Sequence, residues 1–158
     1  MKYQRKYSPQ RVVLDTTYVL PLLGVKVKGL KPEILTKLSE KYELHYPSAM
    51  IPELIGVVLK QCRKKKLKTI PAEALEGLNT LLYGGTINIT SPIDTDLKQA
   101  YKLYKLGLKD IFDNILYSTA TRLNAYIITA DKNLKTFLKQ KKLKHQTMIT
   151  NPENLLLT

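Results

Sequence analysis

Apolar residues along this chain follow two rhythms. Short unbroken aliphatic runs read as buried strands, and longer stretches with apolar positions three or four apart read as helices. The first run is Val12-Val13-Leu14, and it stops at Asp15. Tyr18 to Leu23, with Pro21 inside it, predicts a turn into a short helix. Pro32 suits the first turn of a helix reaching about Lys41. Glu43 to Tyr46 predicts a second strand, closed by Pro47-Ser48.

From Ser48 to about Lys66 the pattern is the strongest in the chain. Ile51, Leu54, Ile55, Val58 and Leu59 fall on one face of a 3.6 repeat, with Ser48 as the expected cap and Pro52 near the start. Pro71 opens another helix with Leu75, Leu78, Leu81 and Leu82 inward, and Gly84-Gly85 stops it. Thr86 to Thr90 alternates with period two and predicts a strand. Asp94 is the expected cap of a helix through Leu97, Tyr101, Tyr104 and Leu108. A second helix runs from Lys109 to Leu123 with Phe112, Ile115, Leu116, Thr119 and Leu123 inward. Ala125 to Thr129 predicts a strand ending just before Asp131, then a lysine-rich helix to about Lys142. A last strand over His145 to Thr150 and a turn capped by Asn151 complete the series.

Strands alternating with helices imply βαβ units, hence an α/β protein with helices on both faces of a parallel sheet. No linker or repeat interrupts the pattern, so a single domain is expected over residues 1–158, with its core at about 11–150. No apolar run approaches the ~20 residues of a membrane span. The basic start, residues 1–10, leads into too short an apolar stretch for a signal peptide, and Cys62 alone cannot form an internal disulfide. The expected setting is reducing and cytoplasmic, with no membrane partner.

Charge changes the picture. The 26 Lys and Arg exceed the 13 Asp and Glu to give +13, and the sequence pI is near 9.7. That balance makes an acidic small-molecule pocket a poor fit and a polyanionic partner a good one. The few acids are then informative. Asp15 and Asp131 follow two strands, which in a parallel sheet puts both at the carboxyl edge, where sites of open α/β sheets form. Glu53 and Asp113 lie near helix starts that face the same edge if those helices follow strands. Each acid also has a plain role as a helix cap or as a partner of the helix dipole. Four convergent carboxylates raise one another's pKa unless lysines or a divalent cation offset them, and hard oxygen donors suit Mg²⁺ or Mn²⁺. With one Cys, and His45 far from His145, no zinc spacing exists.

The order of these blocks is a strand then Asp15-Thr-Thr; Pro47-Ser-Ala-Met-Ile-Pro-Glu53; Asp113-Asn-Ile-Leu-Tyr-Ser-Thr-Ala120; and Ile128-Thr-Ala-Asp131. It resembles the PIN-domain ribonucleases, a family that includes VapC-type toxins and stand-alone archaeal members, from about Arg11 to Ile149. The resemblance implies a three-layer α/β/α sandwich on a mostly parallel sheet of about four to five strands. It implies Mg²⁺- or Mn²⁺-dependent hydrolysis of RNA, with one or two ions, leaving 5′-phosphate and 3′-hydroxyl ends. It places catalytic and metal-binding roles on Asp15, Glu53, Asp113 and Asp131, and a supporting hydroxyl on Thr129. Its partners would be RNA, an antitoxin or ribonucleoprotein, and a second copy of the chain.

Further residues are weighed beside these. Asp110 shares a helix face with Asp113, and reads as a cap or as an outer acid of the same site. Asp94-Thr95-Asp96 reads as helix capping rather than a metal pair. Lys60, Arg63, Lys64, Lys65, Lys66 and Lys132 are candidate RNA contacts, against the alternative of a solvated face complementing helix ends. The 22 lysines against four arginines favour point contacts with phosphate over base reading. Tyr18, close to Asp15, is a candidate for stacking on a base. Two other functions compete with the nuclease: a catalytically silent PIN-like module that binds RNA or ribonucleoprotein, and a basic protein–protein adaptor whose acids are only caps.

Overall fold

The computed structural model describes residues 10–31 and 33–157. The expectations for Pro32 and for residues 1–9 lie outside the described residues. β1 (Arg11–Leu14) leads through α1 (Thr16–Val19) and a 3-10 turn (Leu20–Leu23) to α2 (Ile34–Lys41) and β2 (Glu43–Pro47). A 3-10 turn (Ser48–Met50) precedes α3 (Ile51–Lys64), and α4 (Ala72–Tyr83) precedes β3 (Ile87–Thr90). α5 (Asp94–Lys105) and α6 (Ile111–Leu123) form a helical pair before β4 (Tyr126–Ile128). α7 (Lys132–Gln140), β5 (Met148–Ile149) and α8 (Glu153–Leu156) complete the described elements.

The five strands are all parallel, in the order β3-β2-β1-β4-β5, within an α/β/α sandwich. The chain lays β2 and β3 to one side of β1, then crosses to place β4 and β5 on the other. The order therefore reverses between β1 and β4, which makes the carboxyl ends of those two strands the crevice where an open α/β sheet binds ligands. Val12, Val13, Leu14, Ile127 and Ile128 are fully buried there, so the aliphatic runs that suggested strands are the centre of the core. α4 crosses the Leu20–Leu23 turn so closely that a Cβ on Gly77 would collide with the Leu22 carbonyl. That contact fixes the segment that follows Asp15.

Several expectations are corrected by packing. Ser48 does not cap α3: it starts a 3-10 turn, and α3 begins at Ile51 without a side-chain cap. On α3 only Leu54 and Val58 are buried, while Ile55 and Leu59 face solvent. Leu75 of α4 is also exposed. The Leu97, Tyr101, Tyr104 stripe of α5 is outward, with Leu97 at 74% exposure, although Leu108 beyond the helix is buried. α5 meets α6 through another face, on which Leu103 and Asp96 are buried. Asp94 is the first residue of α5, not its cap. Asp96 takes the capping work: it accepts the Ile93 N–H at 3.0 Å and the Arg122 Nε–H at 2.9 Å and 3.0 Å. The last strand is two residues long rather than six, and α7 stops at Gln140.

Candidate functional site

The register of the central strands builds the site. Leu14 of β1 lies opposite Ile128 of β4, so the next residues, Asp15 and Thr129, come out side by side at the carboxyl edge. The Asp15 N–H donates to the Ile128 carbonyl at 3.0 Å, which continues the ladder by one step. The buried Thr129 hydroxyl donates to Asp15 Oδ2 at 2.6 Å and accepts the Asp131 N–H at 3.0 Å. One hydroxyl thus sets the Asp15 carboxylate and the turn that carries Asp131. On its other oxygen Asp15 accepts the Thr16 N–H at 2.7 Å.

Helix starts bring the other acids. α3 follows β2 through the Ser48–Met50 turn, so its first turn, with Glu53, opens at the carboxyl edge. α6 arrives differently, since it follows another helix rather than a strand. It runs back against β1 and β4 and then feeds β4, and a helix that precedes a parallel strand must begin at that strand's carboxyl edge. Asp113 sits in its first turn, and Asp110 caps it by accepting the N–H groups of Phe112 at 2.9 Å and Asp113 at 3.2 Å. Asp131 caps α7 through the Asn133 N–H at 2.8 Å. The capping roles weighed for Asp110 and Asp131 are therefore present.

The carboxylates act on each other through charge. Asp113 is pushed from 3.8 up to about 7, first by burial and then by the charges of Asp110, Asp131, Asp15 and Glu53. Burial also raises Asp15, against the lowering effect of the Thr129 and Thr16 hydrogen bonds. Burial raises Glu53 as well, opposed by a hydrogen bond from Thr16. Among the described residues none of these five acids forms an ion pair, so lysines do not offset the cluster. Their hard oxygens are the donor type of Mg²⁺ and Mn²⁺. Among the described residues, no three His, Cys, Asp or Glu side chains are grouped tightly enough to hold a metal ion as they stand.

Two residues of this edge were not singled out from the sequence. Thr16 Oγ1 lies 2.8 Å from the Tyr46 hydroxyl, which donates to the Met50 carbonyl at 3.0 Å. Both side chains are buried, and Thr16 also bonds Glu53, so they join β1, β2 and the start of α3 around that acid. The signal for Tyr46 was a phenol at the end of a buried strand, where a hydroxyl needs a partner. Tyr18 is only 5% exposed and forms wall, not a free stacking ring. His45 sits within β2, bonded to Thr90 and Glu43, at 2.8 Å each.

The basic candidates separate. Lys132 stands beside Asp131 in the first turn of α7. Lys60, Arg63 and Lys64 lie in the distal half of α3, and Lys65 and Lys66 in the turn after it; all are exposed. At about 1.5 Å per residue, Lys64 is ~16 Å along the helix from Glu53. No helix among the described residues is long and apolar enough to cross a membrane. A sequence model of the family described as PIN domain matches residues 12–139. No curated protein is significantly similar to the chain.

Proposed function

The chain belongs to the PIN-domain family, a family of nucleases, and from that premise we propose that it is a Mg²⁺- or Mn²⁺-dependent endoribonuclease. The observation that carries the reading is the uncompensated carboxylate cluster at the point where the strand order reverses. Asp113, Asp15 and Glu53 are all held toward the protonated form, a state that a divalent cation relieves and surface lysines do not.

In this reading Asp15, Glu53, Asp113 and Asp131 hold one or two ions, with Asp110 as an outer acid. A bound ion would acidify and align a water and neutralise charge at the phosphate, giving 5′-phosphate and 3′-hydroxyl ends. The protein's own part is orientation. Thr129 aims one oxygen of Asp15, the Thr16 N–H fixes the other, and Thr16 positions Glu53. Lys132, next to Asp131, would meet a phosphate beside the site. Lys60, Arg63, Lys64, Lys65 and Lys66 would meet RNA further along, as point charges. The role is that of a toxin with an antitoxin or of an RNA-processing enzyme in the cytoplasm. The exposed apolar faces of α3 and α5 are where a partner or a second copy would sit.

The absence of a tight three-carboxylate grouping among the described residues favours one second reading, a catalytically silent RNA- or ribonucleoprotein-binding module. A cleavage assay on labelled RNA in Mn²⁺, Mg²⁺ or EDTA, with wild type and Asp113→Asn, separates the two. Hydrolysis that needs metal and Asp113 supports the nuclease. Cleavage surviving both EDTA and the substitution sinks the mechanism, and binding without cleavage in any metal selects the silent module.

A further inference from the structure

A cavity of about 340 Å³ opens beside the carboxylates, on the β4–β5 side of the site. Its walls are continuous with the site itself. Thr17 and Tyr18 follow Asp15 and Thr16 in the chain, and Ala130 stands between Thr129 and Asp131. Across from them lies the Lys28–Lys31 loop, and Thr150 closes the end beyond β5. Glu53 approaches from the β2 side, so the cavity flanks the acids on one side only.

Its chemistry is divided. Tyr18 and Ile34 are buried and give an apolar wall, whereas Thr17, Thr150, Asn151 and Glu153 add polar groups to the lining. Lys28 and Lys31 bring positive charge. Lys31 is already paired with Glu153 at 3.5 Å, while among the described residues Lys28 has no acidic partner. Gly29, between them, has φ of +78°, so the loop turns through a conformation that side chains resist. A slot with one apolar wall, polar groups around it and one unpaired cation matches a nucleoside phosphate: a flat base face, a hydrogen-bonding sugar and base edge, and an anion. The volume is at the low end of the ~300–1,000 Å³ usual for ligand pockets, enough for one nucleotide and too small for a paired one.

We propose that this cavity is a nucleoside subsite that takes one unpaired nucleotide adjoining the scissile phosphate, base inward, with Lys28 on its phosphate. The proposal rests on the ribonuclease reading for the word scissile, and on the cavity alone for the binding. It makes RNA selection one-sided, with a base preference at one position next to the cut.

Two measurements keep these apart. The first is amide NMR of the full chain in EDTA, titrated with each 5′-nucleoside monophosphate and with inorganic phosphate. Nucleotides are expected to shift Tyr18, Leu30 and Thr150, phosphate alone is not, and Thr150→Phe, which fills the cavity from an exposed position, is expected to weaken binding about tenfold. An otherwise unchanged spectrum certifies that the variant folds, and Lys28→Ala gives a second variant at a solvent-exposed position. The second is cleavage-site mapping on a randomised RNA pool with Mn²⁺. Thr150→Phe should erase the base preference at one position while metal-dependent cleavage persists. Nucleotide binding without any cleavage keeps the subsite and removes the ribonuclease. Cleavage whose site preference ignores Thr150→Phe, or shifts produced equally by inorganic phosphate, overturns the subsite and leaves the ribonuclease standing.

Discussion

The two ends of α3 carry opposite charge in opposite surroundings. Glu53 at its start is half-buried, bonded to Thr16 and repelled by Asp15 and Asp110, and its pKa is raised. Lys60, Arg63 and Lys64 at its far end, with Lys65 and Lys66 just beyond it, are exposed to water. One helix thus shows how the same interaction differs with medium. Between two charges in water it is worth about 1 kcal/mol at 4 Å, and several times that where solvent is excluded. A charged group becomes chemically special through burial and preset hydrogen bonds, not through number: the acids are half as many as the bases, yet the proposed site is made of them.

The sharpest way to break that comparison is to neutralise the most perturbed acid of the cluster that Glu53 joins and, separately, the cations at the far end of α3. Asp113→Asn is expected to lower metal-dependent RNA cleavage by ~10³-fold, about 4 kcal/mol of barrier. Replacing Lys64, Lys65 and Lys66 together by Gln should leave kcat within a few-fold. Comparable losses in single-turnover assays would erase the distinction between the two ends.

Thr129→Val tests the preset hydrogen bond itself. The hydroxyl is lost from a buried residue and a methyl fills its place, so Asp15 loses the 2.6 Å donor with little change in packing. Activity or metal affinity should fall 10- to 100-fold, in the range seen when a ligand's orienting partner is removed, with Thr129→Ser restoring most of it.

Stability against pH reads the burial directly. Below about pH 4, Asp113 is protonated in both folded and unfolded chains and contributes nothing. Between about 4 and 7 the folded chain keeps a proton that the unfolded chain has released, so metal-free stability falls as pH rises, by at most about 1.4 kcal/mol per unit. Above about 7 the loss is complete. Asp15 and Glu53, also raised, push the same way. Thermal denaturation in EDTA should show this decline, Asp113→Asn should flatten it, and millimolar Mn²⁺ should oppose it. A rise in metal-free stability over that window contradicts the assigned burial.

The smallest effect belongs to the solvated end. Removing the three lysines should reduce the slope of log binding constant against log salt by about 0.7 for each phosphate of single-stranded RNA that they neutralise. An unchanged slope means that those cations only complement the helix terminus.

Some of this was legible in the sequence because it depends on local order. Val12-Val13-Leu14 and Tyr126-Ile127-Ile128 can be satisfied only by burial in a sheet, and an acid or hydroxyl directly after a parallel strand must emerge at its carboxyl edge. The acid near the start of α3 was readable for the same reason, whereas Asp113 was not, because α6 follows α5 rather than a strand. The α5 stripe was not. Its Leu97, Tyr101, Tyr104 spacing predicts an inward face as well as any core helix does, but periodicity reports that a helix has an apolar side without saying what covers it. The buried side of α5 is instead the one with Leu103 and Asp96, where Arg122 of α6 donates to the Asp96 carboxylate. Thr16 and Tyr46 escaped notice because their meeting joins positions 30 residues apart.

By itself, then, the sequence determined the alternation of strands and helices, the surplus of cations, and which few acids follow strands or open helices, since these follow from periodicity and composition. Tertiary structure alone decided that β4 lies beside β1. That single adjacency aligns Asp15 with Thr129, lets α6 deliver Asp113 to the same edge, and leaves a cavity next to them, because strand order is set by long-range packing that no local pattern encodes.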